Sequence, residues 1–194
     1  MIFDLRTLRL GDLLMAMPAM REGDSVIANP LQQIPLPVQW LSTGIGNVPV
    51  RLGRGKHETV AWCEAANRQP YKHVLLENKH RSGIVIAPSV VSAKRQWDKW
   101  DELLHCIPDA KVVGPDVPRA EWMEVLASAH TVICPDTGTA HMADALCVPK
   151  LIVLHGNGEM HFNRYAPYWN RSNCIVKDSM KDISVEDIME RLNG

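Results

Sequence analysis

The chain has 194 residues, and its 21 Lys and Arg against 22 Asp and Glu give a formal net charge of −1. Hydrophobic residues make up 46% and charged residues 22%, which is typical of a globular protein with a buried core and excludes a disordered chain. The balanced charge argues against a dedicated nucleic-acid-binding protein, because such proteins present a strongly basic surface. We therefore expect no nucleic-acid partner.

In the first part of the chain, hydrophobic spacing predicts several short elements. They are a strand over 1–8, a helix over 11–21, a strand over 25–28, a helix over 58–67 and a strand over 72–77. Residues 30–55 contain four prolines and four glycines, so few regular elements are expected there. A domain boundary is expected within 78–82.

From residue 83 onward, short apolar runs that end in Pro or Gly alternate with segments of helical periodicity. The predicted strands are 83–88, 110–115, 131–135 and 150–156. The predicted helices are 97–107, 119–129, 137–146 and 183–192, with Ser184 as the cap of the last. This alternation predicts a parallel sheet covered by helices on both faces, with ligands at the carboxyl ends of its strands.

The five cysteines form no C-x-x-C pair, whereas a zinc ribbon or a disulfide framework requires paired spacing. Single cysteines are typical of buried side chains in a reducing compartment. The first residues lack the apolar segment of a signal peptide, and no apolar run approaches the roughly 18 residues of a membrane span. We therefore expect a cytoplasmic protein without a transmembrane segment.

The sequence PDTGTAH at 135–141 follows a predicted buried strand and begins a predicted helix. Asp136 or Thr137 can cap this helix, and Gly138 permits close approach of the backbone to a ligand. The amide groups of the first turn then form an anion site suited to a diphosphate. His141 lies one turn further along. Taken alone, the motif is more typical of a helix cap followed by a histidine whose ring nitrogens are hydrogen-bonded within the fold.

Two further junctions between a strand and a helix carry charged residues. Lys94 and Arg95 follow the strand over 83–88, where two adjacent cations can neutralise phosphate, although such pairs are usually solvated surface residues. Asp12 lies near the start of the helix over 11–21, a position typical of a helix cap.

Histidines are candidate metal ligands in the second half of the chain. His155 and His161, with His141 and Asp144, match no zinc-ligand spacing, and the chain has no Asp-x-Asp pair. We therefore expect no metal ion and no cofactor.

Together, the three junctions resemble glycosyltransferase family 9, the heptosyltransferases, which transfer a heptose from ADP-heptose to the lipopolysaccharide core. Residues 11–21 (GDLLMAMPAMR) match the start of the family pattern, and 136–149 (DTGTAHMADALCVP) match its D-T-G segment closely. Residues 88–97 match its basic loop loosely, since Gln96 separates the two cations from Trp97. The resemblance covers roughly 8–21 and 84–192.

This resemblance implies an α/β, GT-B-like fold in which two small Rossmann-like parallel-sheet halves face each other across a cleft, with a reduced first half. Residues 1–82 would form the acceptor-side domain and 83–194 the nucleotide-sugar domain. Asp12 would be the catalytic base, and Lys94, or its neighbour Arg95, would contact the diphosphate. The residues implied for the sugar-donor site are Ser89, Lys94, Arg95, Asp136, Thr137, Gly138, Thr139 and His141.

The chemistry of these residues agrees with the resemblance. Transfer from a nucleotide-diphosphate sugar needs a base for the acceptor hydroxyl and stabilisation of the departing diphosphate, and a single displacement inverts the anomeric centre. The predicted function is an inverting, metal-independent transfer from an ADP-heptose-like sugar donor to a glycan or glycolipid acceptor. The alternative, favoured by the short first half, is a non-catalytic protein that binds nucleotides or nucleotide sugars for sequestration or sensing, or as an accessory subunit.

Overall fold

The computed structural model describes residues 1–5, 10–28, 34–36, 38–41, 48, 55–73, 75–76 and 80–194. The chain divides into two compact units, Met1–Leu75 and Leu76–Gly194, and each contains a parallel sheet. The predicted α/β class with two parallel-sheet halves is thus confirmed. The domain boundary predicted from the sequence follows residue 82. The assignment of the first half to the acceptor and of the second half to the sugar donor stays a prediction.

The first unit contains a three-stranded parallel sheet in the order β1-β2-β3. Its strands are β1 (Ile2–Asp4), β2 (Ser25–Ile27) and β3 (Gln39–Leu41), and its helices are α1 (Leu10–Ala16) and α2 (Glu58–Ala65). The helix predicted over 11–21 ends early, because Pro18 lacks an amide hydrogen and the chain tightens into a 3₁₀ turn over Met17–Ala19.

Two sequence expectations for this unit differ from the structure. The short strand β3 lies in the proline-rich and glycine-rich segment 30–55, most of which falls outside the described residues. No strand is formed by the described residues of 72–77. A strand of three residues, such as β3, has too few side chains for the alternation of apolar and polar residues to be recognised in the sequence.

A buried carboxylate joins separate parts of the first unit. Asp24 is 3% exposed, accepts two hydrogen bonds from the Arg68 guanidinium and one from the Arg21 amide, and lies 2.8 Å from the amino group of Met1. Burial alone would raise the pKa of Asp24, but these donors outweigh it and lower the pKa from 3.8 to about 2. The ionised form therefore stabilises this unit.

Replacing Asp24 by asparagine is expected to lower the free energy of unfolding by about 2 kcal/mol at pH 7, since each pKa unit corresponds to about 1.4 kcal/mol. Because the pKa of Asp24 is lower in the folded state, this stabilisation is present above pH 3.8 and is lost as the pH falls through about 2. Urea unfolding of both proteins should show the difference shrinking over that range, and the exposed Glu22→Gln provides the control. A difference independent of pH would contradict this origin.

The second unit contains a five-stranded parallel sheet in the order β5-β4-β6-β7-β8. Its strands are β4 (Ser82–Ile86), β5 (Lys111–Val112), β6 (Ala129–Pro135), β7 (Lys150–His155) and β8 (Ile175–Val176). Its helices are α3 (Trp100–Cys106), α4 (Arg119–Ser128), α5 (Gly138–Ala145), α6 (Gly158–Tyr165) and α7 (Val185–Asn193). The chain order reverses between β4 and β6, the point at which ligands bind in such sheets.

The core of this unit explains why its helices could be predicted. Trp97 and Trp100 pack edge to face with ring centroids 4.8 Å apart, and the Trp97 indole donates to the Ile183 carbonyl at 3.0 Å. These side chains belong to the core on one face of the sheet. Helix α7 begins with a capping box, in which Ser184 and Asp187 each accept the other's amide. The predicted Ser184 cap is confirmed.

Two elements of the second unit were not predicted. Helix α6 lies between the predicted strand over 150–156 and the predicted helix over 183–192, where the sequence analysis predicts no element. No residue of this helix is buried, so its sequence lacks the apolar stripe that identifies a helix. Strand β8 has only two residues. In the described part of the chain, no helix is long and apolar enough to cross a membrane.

Candidate functional site

The candidate site lies at the carboxyl ends of β4, β6 and β7. Asp136 follows the last residue of β6, and Thr137 caps α5 by accepting the Thr139 amide at 3.3 Å. The loop after β4 leads into a 3₁₀ turn over Ala93–Arg95. Because β4 and β6 flank the reversal of strand order, their loops meet at the edge of the sheet where ligands bind.

Arg95 joins the loops after β4 and β6. Its Nη1 donates to the Asp136 carbonyl at 2.7 Å, and its Nη2 lies 3.8 Å from Asp136 Oδ2. The Arg95 side chain is 33% exposed, and the neighbouring Lys94 is exposed. Of the two predicted cations, Arg95 is the one that the structure brings onto Asp136.

Two histidines approach the same carboxylate. His155, the last residue of β7, places Nδ1 3.4 Å from Asp136 Oδ2, and His161 of α6 places its own Nδ1 3.7 Å from that oxygen. The His161 Nδ1 also lies 3.1 Å from His155 Nε2. Among the residues that the structure describes, Asp136 Oδ2 and His155 Nδ1 are both buried without a hydrogen-bond partner, although buried polar atoms are usually satisfied. These three residues could hold a metal ion.

Burial sets the protonation of this group. It raises the pKa of Asp136 to about 6, although the nearby Arg95 opposes the change, and it lowers the pKa of His155 to about 4, with the charges of His161 and Arg95 acting in the same direction. Burial and the neighbouring arginines also lower the pKa of His161. Near neutral pH the site therefore contains a buried carboxylate, neutral imidazoles and one guanidinium.

The other predicted residues of the second unit lie in the loop after β4 and in the first turns of α5. Gly138 and Thr139 are partly exposed in the first turn of α5, and His141 is buried one turn further along. Ser89 is partly exposed in the loop after β4. Asp12 belongs to the first turn of α1 in the first unit. The roles of all these residues stay predictions.

Asp144, considered above as a metal ligand, has a different environment. Its carboxylate accepts hydrogen bonds from the Trp169 amide at 3.0 Å and the Asn170 side chain at 2.9 Å. It therefore fixes the segment that follows α6 to helix α5. The carboxylate that the structure brings to His155 and His161 is Asp136.

The proximity of His155 to Asp136 was missed in the sequence, although a signal for it exists. Pro135 pairs with Leu154 in the parallel register of β6 and β7, and the Asp136 amide donates to the Leu154 carbonyl at 3.1 Å. The residue after each of these positions therefore lies at the same sheet edge. Aligning the ends of the two apolar runs would have placed the two side chains together.

Comparisons with known proteins agree with this geometry. Residues 115–192 match the model of glycosyltransferase family 9 (heptosyltransferase), while a search of curated sequences finds no match to the chain. The structure resembles E. coli heptosyltransferase WaaC with ADP-2-deoxy-2-fluoro heptose, with a TM-score of 0.69 and 13% identity over 99% of this chain and 98% of that chain.

Two further structures have similar folds. E. coli ADP-heptose lps heptosyltransferase II has a TM-score of 0.76 and 12% identity over 99% of this chain and 97% of that chain. A family 9 glycosyl transferase from Veillonella parvula has a TM-score of 0.73 and 9% identity over 99% and 95%. These findings support a glycosyltransferase. The resemblance seen in the sequence is confirmed: residues 115–192 match the family 9 model, and the chain has the GT-B-like fold of the family 9 heptosyltransferases.

Proposed function

We propose that this protein is an inverting glycosyltransferase that binds a nucleotide-diphosphate sugar of the ADP-heptose type at the carboxyl ends of β4 and β6. The observation that carries the proposal is the convergence of Arg95, Asp136 and the start of α5 at the reversal of strand order. The WaaC structure, which has a similar fold, was solved with ADP-2-deoxy-2-fluoro heptose, which supports a sugar donor of this class.

The departing diphosphate needs positive charge that is already in place. The dipole at the start of α5 provides partial positive charge, and the Arg95 guanidinium adds a full charge from the loop after β4. Both groups are held by the fold before the sugar donor arrives, so little reorganisation accompanies bond cleavage. In this mechanism no metal ion is needed to stabilise the leaving group.

The buried Asp136 carboxylate has a second use. Its Oδ2 has no hydrogen-bond partner in the described part of the chain and can accept a hydrogen bond from a sugar hydroxyl. Ser89, Thr137, Thr139 and His141 lie on the same loops or in the first turns of α5, where they can complete the contacts to the sugar donor. A site that pairs polar groups with sugar hydroxyls discriminates strongly against sugars that lack them.

The reaction then needs a base for the acceptor. We assign this role to Asp12, whose carboxylate would take the proton of an acceptor hydroxyl as that oxygen attacks the anomeric carbon. The bond from the anomeric carbon to the diphosphate oxygen breaks in the same displacement, so the configuration inverts. The acceptor would be a glycan or glycolipid, and the five cysteines, all free thiols, support a reaction in the reducing cytoplasm.

The proposal is tested with a panel of ADP-, GDP- and UDP-sugars. Calorimetry should show tight binding of one sugar donor, and product analysis with glycan and glycolipid acceptors should show transfer with inversion. Tight binding without turnover on every acceptor would instead identify a nucleotide-sugar-binding protein. Failure of every sugar donor to bind would contradict both functions.

The two adjacent cations provide a matched pair of variants. Arg95→Met is expected to raise the dissociation constant of the sugar donor about 10–100-fold, because a charged hydrogen bond contributes about 1.5–3 kcal/mol. Lys94→Met removes the same charge from a solvated side chain and should change it less than about threefold. Thermal unfolding of both variants controls for folding. The opposite ranking would give Lys94 the diphosphate role.

A further inference from the structure

Asp136, His155 and His161 combine ligands and geometry that suit a transition-metal ion. One ligand atom from each residue lies within 4.8 Å of the others, and the two distances from Asp136 Oδ2 to histidine Nδ1 atoms are 3.4 and 3.7 Å. A tetrahedral ion with bonds of about 2.0–2.1 Å separates its ligand atoms by about 3.3 Å. Both measured separations are therefore close to the spacing that such an ion requires.

The burial of these groups is an independent indication of a ligand. The Asp136 and His155 side chains are 3% and 0% exposed, and no described residue forms a hydrogen bond with Asp136 Oδ2 or His155 Nδ1. Burying polar atoms without partners destabilises a fold. A cation bound between them would satisfy both atoms at once, while the 29% exposure of the His161 side chain leaves an approach from solvent.

The ligand types select the ion. Two imidazoles and one carboxylate form a set typical of Zn²⁺ and related transition metals, with one position left open, whereas Mg²⁺ and Ca²⁺ prefer oxygen ligands. Arg95 opposes binding, because its Nη2 lies 3.8 Å from Asp136 Oδ2 and like charges repel at this distance. Removing the Arg95 charge should therefore strengthen metal binding.

We propose that Asp136, His155 and His161 bind one Zn²⁺-class ion. If the proposed function holds, the ion and the sugar donor compete. The ion occupies the Asp136 oxygen that the sugar donor would use, so the metal inhibits binding of the sugar donor. Arg95 then acts in opposite directions on the two ligands, since its charge attracts a diphosphate and repels a cation.

Metal binding is tested first without the sugar donor, on protein treated with EDTA and then freed of EDTA. Titration with Zn²⁺ by calorimetry, and with Co²⁺ by visible absorption, should show one ion per chain with a tetrahedral Co²⁺ spectrum. His161→Ala should weaken binding at least tenfold, Arg95→Met should strengthen it, and His105→Ala, at an exposed position on α3, should leave it unchanged. Equal affinity in the wild type and His161→Ala would overturn the proposal.

The competition is tested by measuring binding of ADP-heptose with EDTA and with Zn²⁺ at a concentration that fills the wild-type site and leaves most of the His161→Ala protein without the ion. Zn²⁺ should weaken this binding in the wild type and not in His161→Ala, whereas chelation of Zn²⁺ by the sugar donor would affect both proteins equally. Equal weakening in both would therefore overturn the competition. Absence of ADP-heptose binding even in EDTA would contradict the proposed function and leave the metal-binding result intact.

Discussion

Replacing Asp12 by asparagine is expected to lower kcat by a factor of about 10²–10⁴, the usual contribution of a general base, while the dissociation constant of the sugar donor changes less than about twofold. Asparagine keeps the size of the side chain but cannot take the acceptor proton. The proposed contacts to the sugar donor all come from the second unit, and Asp12 belongs to helix α1 of the first. The variant should therefore separate turnover from binding of the sugar donor.

The simplest competing role of Asp12 is structural. An acidic residue in the first turn stabilises a helix by about 0.3–1 kcal/mol through the helix dipole, so the variant should lose stability through this effect. Urea unfolding measures this loss, and Glu22→Gln, which removes an exposed carboxylate of the same unit, is the matched control for turnover. Unchanged kcat in Asp12→Asn would remove Asp12 from the mechanism, and a collapse of stability would make it a structural residue.

The parts of the second unit that were predicted correctly are those in which one short sequence pattern determines the structure. Strands β6 and β7 are buried apolar runs, and the Ser184 cap depends on residues only three positions apart. Each of these signals is local, so a single sequence contains it. Helix α6 has no buried side chain, and its sequence therefore offered no apolar stripe to detect.

The candidate site was only partly predictable because its contacts are not local. The sequence identified Asp136 and placed two cations after β4, but it could not show that Arg95 donates to the Asp136 carbonyl across 41 positions of the chain. Nor did it bring His155 and His161 to the same carboxylate. Those contacts depend on the parallel register of β6 and β7 and on the start of an unpredicted helix.

Two backbone segments next to the site, at Gly156 and at Met180, approach each other closely. Gly156 directly follows His155, and a Cβ added to it would lie 2.2 Å from the Met180 nitrogen and 2.7 Å from the Met180 Cα. The opposing chain is held in place because the Lys177 amide donates to the His155 carbonyl at 3.0 Å and the Met180 side chain belongs to the core. Neither segment can move without breaking hydrogen bonds or core packing.

Gly156→Ala is therefore expected to lower the free energy of unfolding by about 3 kcal/mol or more, because overpacking against backbone costs at least as much as overpacking against side chains. For a chain of this size that corresponds to a decrease in Tm of roughly 6–12 °C. Gly114→Ala is the matched control, since an added Cβ there meets nothing within 4 Å. His155 immediately precedes Gly156, so Gly156→Ala should also weaken Zn²⁺ binding. Equal stability of the two alanine variants would contradict a rigid contact between Gly156 and Met180.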